Sequence, residues 1–230
     1  MGTDGAPFRR ARRPEHKQQR YEAILAAARS QAERKGVSNV SLADIAAEVG
    51  VHKSALLRYF ETREEIYLHL TAEGWQDWVD GMRDELAQLP VGSVTGVAEV
   101  VARTLAARPL LCDLMTHTSL TLERNVSLEA VRNFKLAALA ALADAEVLIR
   151  RVLPDLTDDD VRDLVGAVSA VAAGLWQATH PPATLVALYA EDPRLEHTRL
   201  EFTPSLQHLI EVVLTGLLHP RDGGGAPRPD

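Results

Sequence analysis

A single cysteine, Cys112, leaves the chain without a disulfide framework of its own and suits a reducing compartment. Its ordinary role is that of a small buried hydrophobe. Aromatic residues are scarce, with only three tryptophans among 230 residues, so the places where they gather carry information. No apolar segment follows the polar, arginine-rich start, and no secretory signal is expected. The longest uncharged stretch, Leu164 to Ala190, is rich in alanine and glycine and broken by Pro181 and Pro182. It falls short of the roughly 20 strongly apolar residues that cross a bilayer and is expected to be a buried helix. The protein should therefore be cytoplasmic and have no membrane partner. Alternating apolar and β-branched residues are missing over any useful window, and no segment repeats. The metal spacings HExxH and paired CxxC, the nucleophile elbow, the phosphate loop and the dinucleotide fingerprint are absent as well. Neither an enzyme nor a metal or cofactor is expected.

What the chain does have is helix. Its 46% hydrophobic and 25% charged residues are ordinary for a globular protein, and its apolar periodicity predicts an all-α fold. The most informative stretch is SLADIAAEVGVHKSALLRYF, Ser41 to Phe60. Ser41 followed by Asp44 is a capping box that starts a helix at Leu42. Leu42, Ile45, Ala46 and Val49 form one apolar face, and Gly50 can take the left-handed conformation that ends the helix. A second helix follows at once. Leu56 and Phe60 face inward on it, while Lys53, Ser54, Ala55, Arg58 and Tyr59 face out, which is how a helix-turn-helix packs one side and presents the other to DNA. The short side chains of Ser54 and Ala55 allow close approach to base edges.

Overall charge is −7, which looks wrong for a DNA binder until it is divided. Residues 1–60 hold eleven Lys and Arg against six Asp and Glu, a net of +5, leaving −12 for the remainder. Phosphate binding needs local positive charge, and an acidic body only lowers non-specific attraction. The arm RRARRPEHKQQR brings Arg9, Arg10, Arg12, Arg13, Lys17 and Arg20. It reads as a solvated tail in the absence of DNA that can reach phosphates or the minor groove when bound.

This segment and its flanks resemble the tetracycline-repressor (TetR) family of bacterial regulators. The resemblance runs from about Arg20 to Tyr67. It rests on Ile24, Ala27, Ala28 and Gly36, then Ile45, Ala46, Gly50 and Val51, then Lys53, Leu56, Tyr59, Phe60, Glu64 and Ile66. Ser54, Ala55, Leu57 and Arg63 depart from the family's commonest residues, Leu57 standing where a phosphate-contacting tyrosine is frequent. The candidate DNA contacts are Ser41, Leu42, His52, Lys53, Ser54, Ala55, Arg58, Tyr59 and Arg63, with Arg12 and Arg13 from the arm.

Tyr21, Ile24, Leu25, Ala28 and Ala32 give the first helix its stripe, and Gly36 ends it. Thr62 with Glu65 repeats the capping box and opens a long helix to about Gln88. Further helices are expected over Thr95 to Ala107, Pro109 to Thr118, Ser127 to Leu153 and Asp158 to Thr179, the last capped by Thr157 with Asp160. Thr203 as N-cap and Pro204 at the first helical position predict a final helix ending near Leu218. The domains expected are a disordered basic arm over 1–15, a DNA-binding helix-turn-helix domain over 16–62, a regulatory ligand-binding and dimerisation domain over 63–219, and a disordered tail over 220–230.

The helix from Asp158 is apolar on more than one face, so it is either central in its own domain or shared with a partner. The resemblance implies the second, a homodimer joined through a four-helix interface. Its candidate residues are Val161, Val168, Val171 and Leu175, with Leu206, Ile210, Val213 and Leu214 from the last helix. Polar and aromatic residues scattered among the middle helices are either core with satisfied or surface polar groups or the mixture a ligand pocket needs. The resemblance implies the latter, a pocket for a small, mostly apolar ligand: Trp75, Trp78, Met82, Met115, Thr118, Asn133, Phe134, Trp176, Gln177 and His180. The resulting reading is a ligand-responsive regulator, a repressor released from double-stranded operator DNA by a small molecule. The alternative is a helical small-molecule-binding protein or enzyme with a vestigial helix-turn-helix, against which the local positive charge argues.

Overall fold

The computed structural model describes residues 12–195 and 200–219, and among these it is helical with no strand. Ten α-helices follow in order: α1 Arg12–Lys35, α2 Leu42–Val49, α3 Lys53–Leu56, α4 Arg63–Ala87, α5 Val94–Ala106, α6 Pro109–His117, α7 Leu128–Val152, α8 Asp158–Thr179, α9 Ala183–Glu191 and α10 Phe202–Leu218. No described helix is long and apolar enough to cross a membrane.

The local signals act where they were expected. Ser41 Oγ accepts the Asp44 N–H at 3.2 Å and the Asp44 carboxylate accepts the Ser41 N–H at 2.8 Å, so the box at the start of α2 closes in both directions. The Ser41 hydroxyl also donates to that carboxylate at 2.5 Å, and it, with the Ser41 N–H, holds the Asp44 carboxyl down at about 2. Gly50 ends α2 with φ of 71°, and Val51 sends its N–H back to the Ala46 carbonyl at 2.9 Å. At Thr62 the box is displaced. Thr62 Oγ1 accepts the Glu65 N–H, but the Glu65 carboxylate reaches one residue further back, to the N–H of Glu61 at 2.6 Å.

Four expectations are corrected. Residues 12–15 are helical rather than part of a disordered arm, because α1 already begins at Arg12; residues 1–11, with Arg9 and Arg10, and the tail from 220 lie outside the described residues. The uncharged stretch is not one buried helix: the proline pair separates α8 from α9, which buries none of its residues. The final helix starts at Phe202 with Glu201 as cap, placing Thr203 and Pro204 inside its first turn. Pro204 is tolerated there because first-turn amides have no intrahelical partner to lose. Finally, α3 is a single helical turn, continued to Phe60 by tighter bonds such as Tyr59 N–H to the Leu56 carbonyl at 2.9 Å.

Two cores form. One joins the second half of α4 with α5, α7, α8 and α10 around Trp78, whose indole N–H donates to Thr104 Oγ1 at 3.0 Å and so leaves no buried donor unmet. Cys112 is sealed in this core, where burial pushes its thiol up to about 12 and keeps it protonated. The other core holds Ile24, Ala28, Ile45, Leu56 and Phe60 of the first three helices, but also Ile66 to Leu70 of α4 and three residues from much later in the chain, Leu114, Leu122 and Phe134. A division between residues 62 and 63 therefore cuts through packed side chains.

Candidate nucleic-acid interface and ligand cavity

Leu56 and Phe60 are the buried anchors of the short α3 region, 0% and 1% exposed, and Tyr21 stacks on Phe60 with ring centroids 4.8 Å apart. Anchored so, the segment leaves Lys53, Ser54, Leu57 and Arg58 exposed and Ala55 and Tyr59 half-buried. His52 caps it, its Nδ1 accepting the Ser54 N–H, so its ring is engaged locally. Ser41 is likewise held by Asp44, and Leu42 is half-buried against the core. The exposed Lys17 and Arg20 of α1 line a cleft beside Tyr59. Arg29, Arg34 and Lys35 are taken up by Glu73, Glu48 and Asp44, whereas Lys53 and Arg58 are exposed and have no ion pair among the described residues.

Arg63 does not belong to this face. Its Nη1 donates to the carbonyls of Val37 and Val40 at 3.2 and 2.8 Å, its Nε meets Glu64 at 3.1 Å, and its guanidinium lies over the Tyr67 ring. Two carbonyls in the loop between α1 and α2 need donors, and a planar fork supplies both at once. Arg63 braces the domain from inside. Arg12 and Arg13 begin α1, their side chains lying outside what the structure describes.

Between α4, α6, α7 and α8 lies a cavity of about 590 Å³. Trp75, Trp78, Met115, Thr118 and Phe134 line it, as the sequence suggested, and five other candidates do not. Met82 is fully buried in the core one turn beyond the cavity. Trp176 and His180, stacked at 3.7 Å, line a separate and more polar cleft of about 610 Å³ where α1 meets α6. Asn133 borders only smaller clefts beside α4 and the end of α3, and Gln177 is exposed on α8. Charged Glu123, Lys135 and Arg162 line the cavity unforeseen, along with small residues: Ala138, Ala141 and Ala145 on α7, and Gly166, Ala170 and Ala173 on α8. The signal was present in those small residues. Recurring at helical spacing on two neighbouring helices, they leave volume between them.

One helix touches both regions. Met115 and Thr118, at the end of α6, face the cavity, while Asp113 accepts the Val37 N–H at 2.8 Å and His117 Nε2 lies 3.1 Å from Ser38 Oγ. Val37 and Ser38 belong to the 3-10 turn Val37–Asn39 that joins α1 to α2. Burial raises the Asp113 carboxyl's pKa, but hydrogen bonds from His117 and Val37 outweigh it and the net direction is down. This contact is therefore complete above the ordinary aspartate range and is lost only as pH falls through the lowered value.

The expected dimer residues are largely spent within the protomer. Val161, Val168, Leu206, Ile210 and Leu214 are at most 4% exposed, and the half-buried Val171, Leu175 and Val213 pack on the same core. The reason is physical: the most apolar stripes of α8 and α10 pack against each other and their own neighbours first. What faces outward away from the cavity is Gly174 and Gln177 on α8, and Leu209 and Val212 on α10, Val212 being 55% exposed.

Residues 24–70 match the family model described as bacterial regulatory proteins of the tetR family, and residues 72–221 match that of the tetracyclin repressor-like C-terminal domain. No curated protein matches the chain. Among solved structures, the chain is similar to FadR of Thermus thermophilus, a TetR-family transcriptional repressor in complex with lauroyl-CoA. They share 18% identity and a TM-score of 0.57, over 91% of this chain and 99% of that one. It is also similar to the fatty acid degradation regulator FadR of Bacillus halodurans, at 16% identity and TM-score 0.52, over 87% and 99%. A TetR transcriptional regulator of Rhodococcus sp. RHA1 gives 16% and 0.57, over 89% and 98%. At such identities the likeness is one of fold.

Proposed function

The chain belongs to the tetracycline-repressor family of bacterial regulatory proteins, and from that membership we propose a homodimeric repressor that leaves its operator when a small, mostly apolar molecule enters the cavity. The family's work is DNA-binding regulation. What carries the finer reading is Phe134, which belongs to the core of the DNA-binding half and also lines the cavity. A ligand touching it presses on that core. It also touches Met115 and Thr118 of α6, whose opposite side holds the turn before α2 through Asp113 and His117. A ligand shifts the DNA-binding arrangement only by its difference in affinity for the two states. That a structural neighbour holds lauroyl-CoA supports an apolar occupant.

Two copies joined through the outward faces of α8 and α10 would set two α3 segments one DNA turn apart, about 34–36 Å. Lys53, Ser54, Ala55, Arg58 and Tyr59 then meet the DNA, with Lys17 and Arg20 beside them. The functional division is a DNA-binding unit from α1 through the first turns of α4 and a regulatory unit from there to α10.

The test is a gel shift on DNA from upstream of the protein's own gene, titrated with hydrophobic compounds that quench Trp75 and Trp78. Release of DNA by the same compounds is expected, with the compound's affinity lowered by DNA by the same factor, about 5 to 150-fold. Compounds that quench and never release would refute regulation through this cavity. Asp113→Ala should bind the compound as the wild type does and show that factor reduced towards one. An unchanged factor would remove α6 from the route.

A further inference from the structure

The cavity offers a ligand few hydrogen bonds inside. The hydroxyls of Thr118 and Ser169 already donate to the carbonyls of Leu114 and Val165 at 2.8 and 2.6 Å, and the Trp78 indole is occupied by Thr104. Most of the remaining wall is aliphatic or aromatic. The polar reach comes from three charged side chains, the neighbouring Glu123 and Lys135 and, apart from them, Arg162. Thr116 Oγ1 donates to the Ala173 carbonyl at 3.4 Å, which puts the Ala173 end of the α8 wall beside α6, where the chain leaves for Thr118 and Glu123. Lys135 pairs with Glu123 at 2.6 Å and so marks that end. Arg162 lies eleven residues earlier on α8, roughly 16 Å away along the helix.

Charge separates the two ends. From Asp155 to Asp163 the sequence has five carboxylates and one cation, a net of −4, and Arg162 is itself paired with Asp159. From Glu123 to Lys135 it has three cations and two carboxylates, a net of +1. An anion is repelled from the first end and accepted at the second. Leu139, 60% exposed, lines the cavity on α7 one turn beyond Lys135, so the wall next to that cation is apolar surface open to solvent.

We infer that the ligand is a single-chain amphiphile with an anionic head, its chain lying between the tryptophans and the small residues of α7 and α8, its head on Lys135. This rests on the cavity being the effector site. The head takes Lys135 over from Glu123. Glu123 follows directly on the π-turn Thr118–Leu122 that continues α6, its N–H bonded to the Thr118 carbonyl at 3.1 Å. Exchange of partners at Lys135 therefore frees the carboxylate next to the segment that carries Thr118, and binding of the head is registered where α6 ends.

Three probes of equal chain length test this below their micellar concentrations: dodecanoate, dodecanol and dodecyltrimethylammonium, with tryptophan quenching as the readout. Dodecanoate should bind about two- to fivefold more tightly than either of the others, the range for an ion pair at an exposed site. Shortening it to decanoate should cost about tenfold, as two methylenes leave the apolar wall. Lys135→Met should lower dodecanoate affinity by the same factor as that preference, about two- to fivefold, and so remove it, with dodecanol unaffected. Lys135→Arg should restore it. Lys135 is exposed, so neither change threatens the fold. Equal binding of dodecanol and dodecanoate, or a Lys135→Met protein that still prefers the anion, would overturn the anionic head and leave the effector site standing. If none of the three probes disturbs the tryptophans, the apolar effector reading fails and this inference falls with it.

Discussion

Val212→Glu is expected to give a folded monomer that has lost tight operator binding, while the same change two residues on, at Leu214, should leave no folded protein. The two side chains point opposite ways on one helix. Val212 is 55% exposed on the outward face, whereas Leu214 is 0% exposed in the shared core of α5, α8 and α10. A glutamate at Leu214 gives up a buried side chain and buries an unpaired charge, together about 5 kcal/mol or more, which is comparable with the whole stability of a domain, about 5–15 kcal/mol. At Val212 it meets water in the protomer and a like charge only in the dimer. A monomer covers one half-site, so operator affinity should drop by at least about 100-fold, a conservative share of the second half-site's contribution. Sedimentation and circular dichroism separate the outcomes: a helical Val212→Glu dimer would disprove the outward interface, and a well-folded Leu214→Glu protein would disprove the packing.

Lys53→Ala with Arg58→Ala should abolish salt-dependent attraction at the helix-turn-helix. If each side chain neutralises one phosphate, a dimer loses four, and the slope of log affinity against log salt becomes shallower by about 3.6 units. Arg63→Ala is the control. Its guanidinium holds the carbonyls of Val37 and Val40, so losing it should lower the melting temperature and, in the protein that remains folded, leave the slope alone. A slope that changes with Arg63 and not with Lys53 and Arg58 would reverse the assignment.

Which of this was legible in the sequence follows from the range of each interaction. The box at Ser41 and Asp44, the glycine turn at Gly50 and the inward pair Leu56 and Phe60 are settled within a few residues, and the structure has them as read. The stripes of α8 and α10 were equally visible, but a stripe states only that a face is buried. Their use within the protomer depends on α5 and α6, which approach from elsewhere in the chain. Arg63 reads as a surface cation because the two carbonyls that capture it lie more than twenty residues away. In the cavity the aromatic residues were found by type, and Met82, at the same spacing, was carried past it by a further turn of α4. Lys135 and Arg162 escaped because a charge on an amphipathic helix ordinarily means solvent.

Phe134 has a consequence for how such a chain can change over generations. Being part of the wall of the proposed effector cavity and of the core that holds α2 and α3 in place, it cannot be exchanged to suit a new effector without disturbing the DNA-binding half. Its neighbour Lys135 is exposed on the same helix and carries no such double duty. Drift in effector preference is therefore channelled to the cavity's rim and to its alanines and glycines, while the residue at its junction stays under two selections at once.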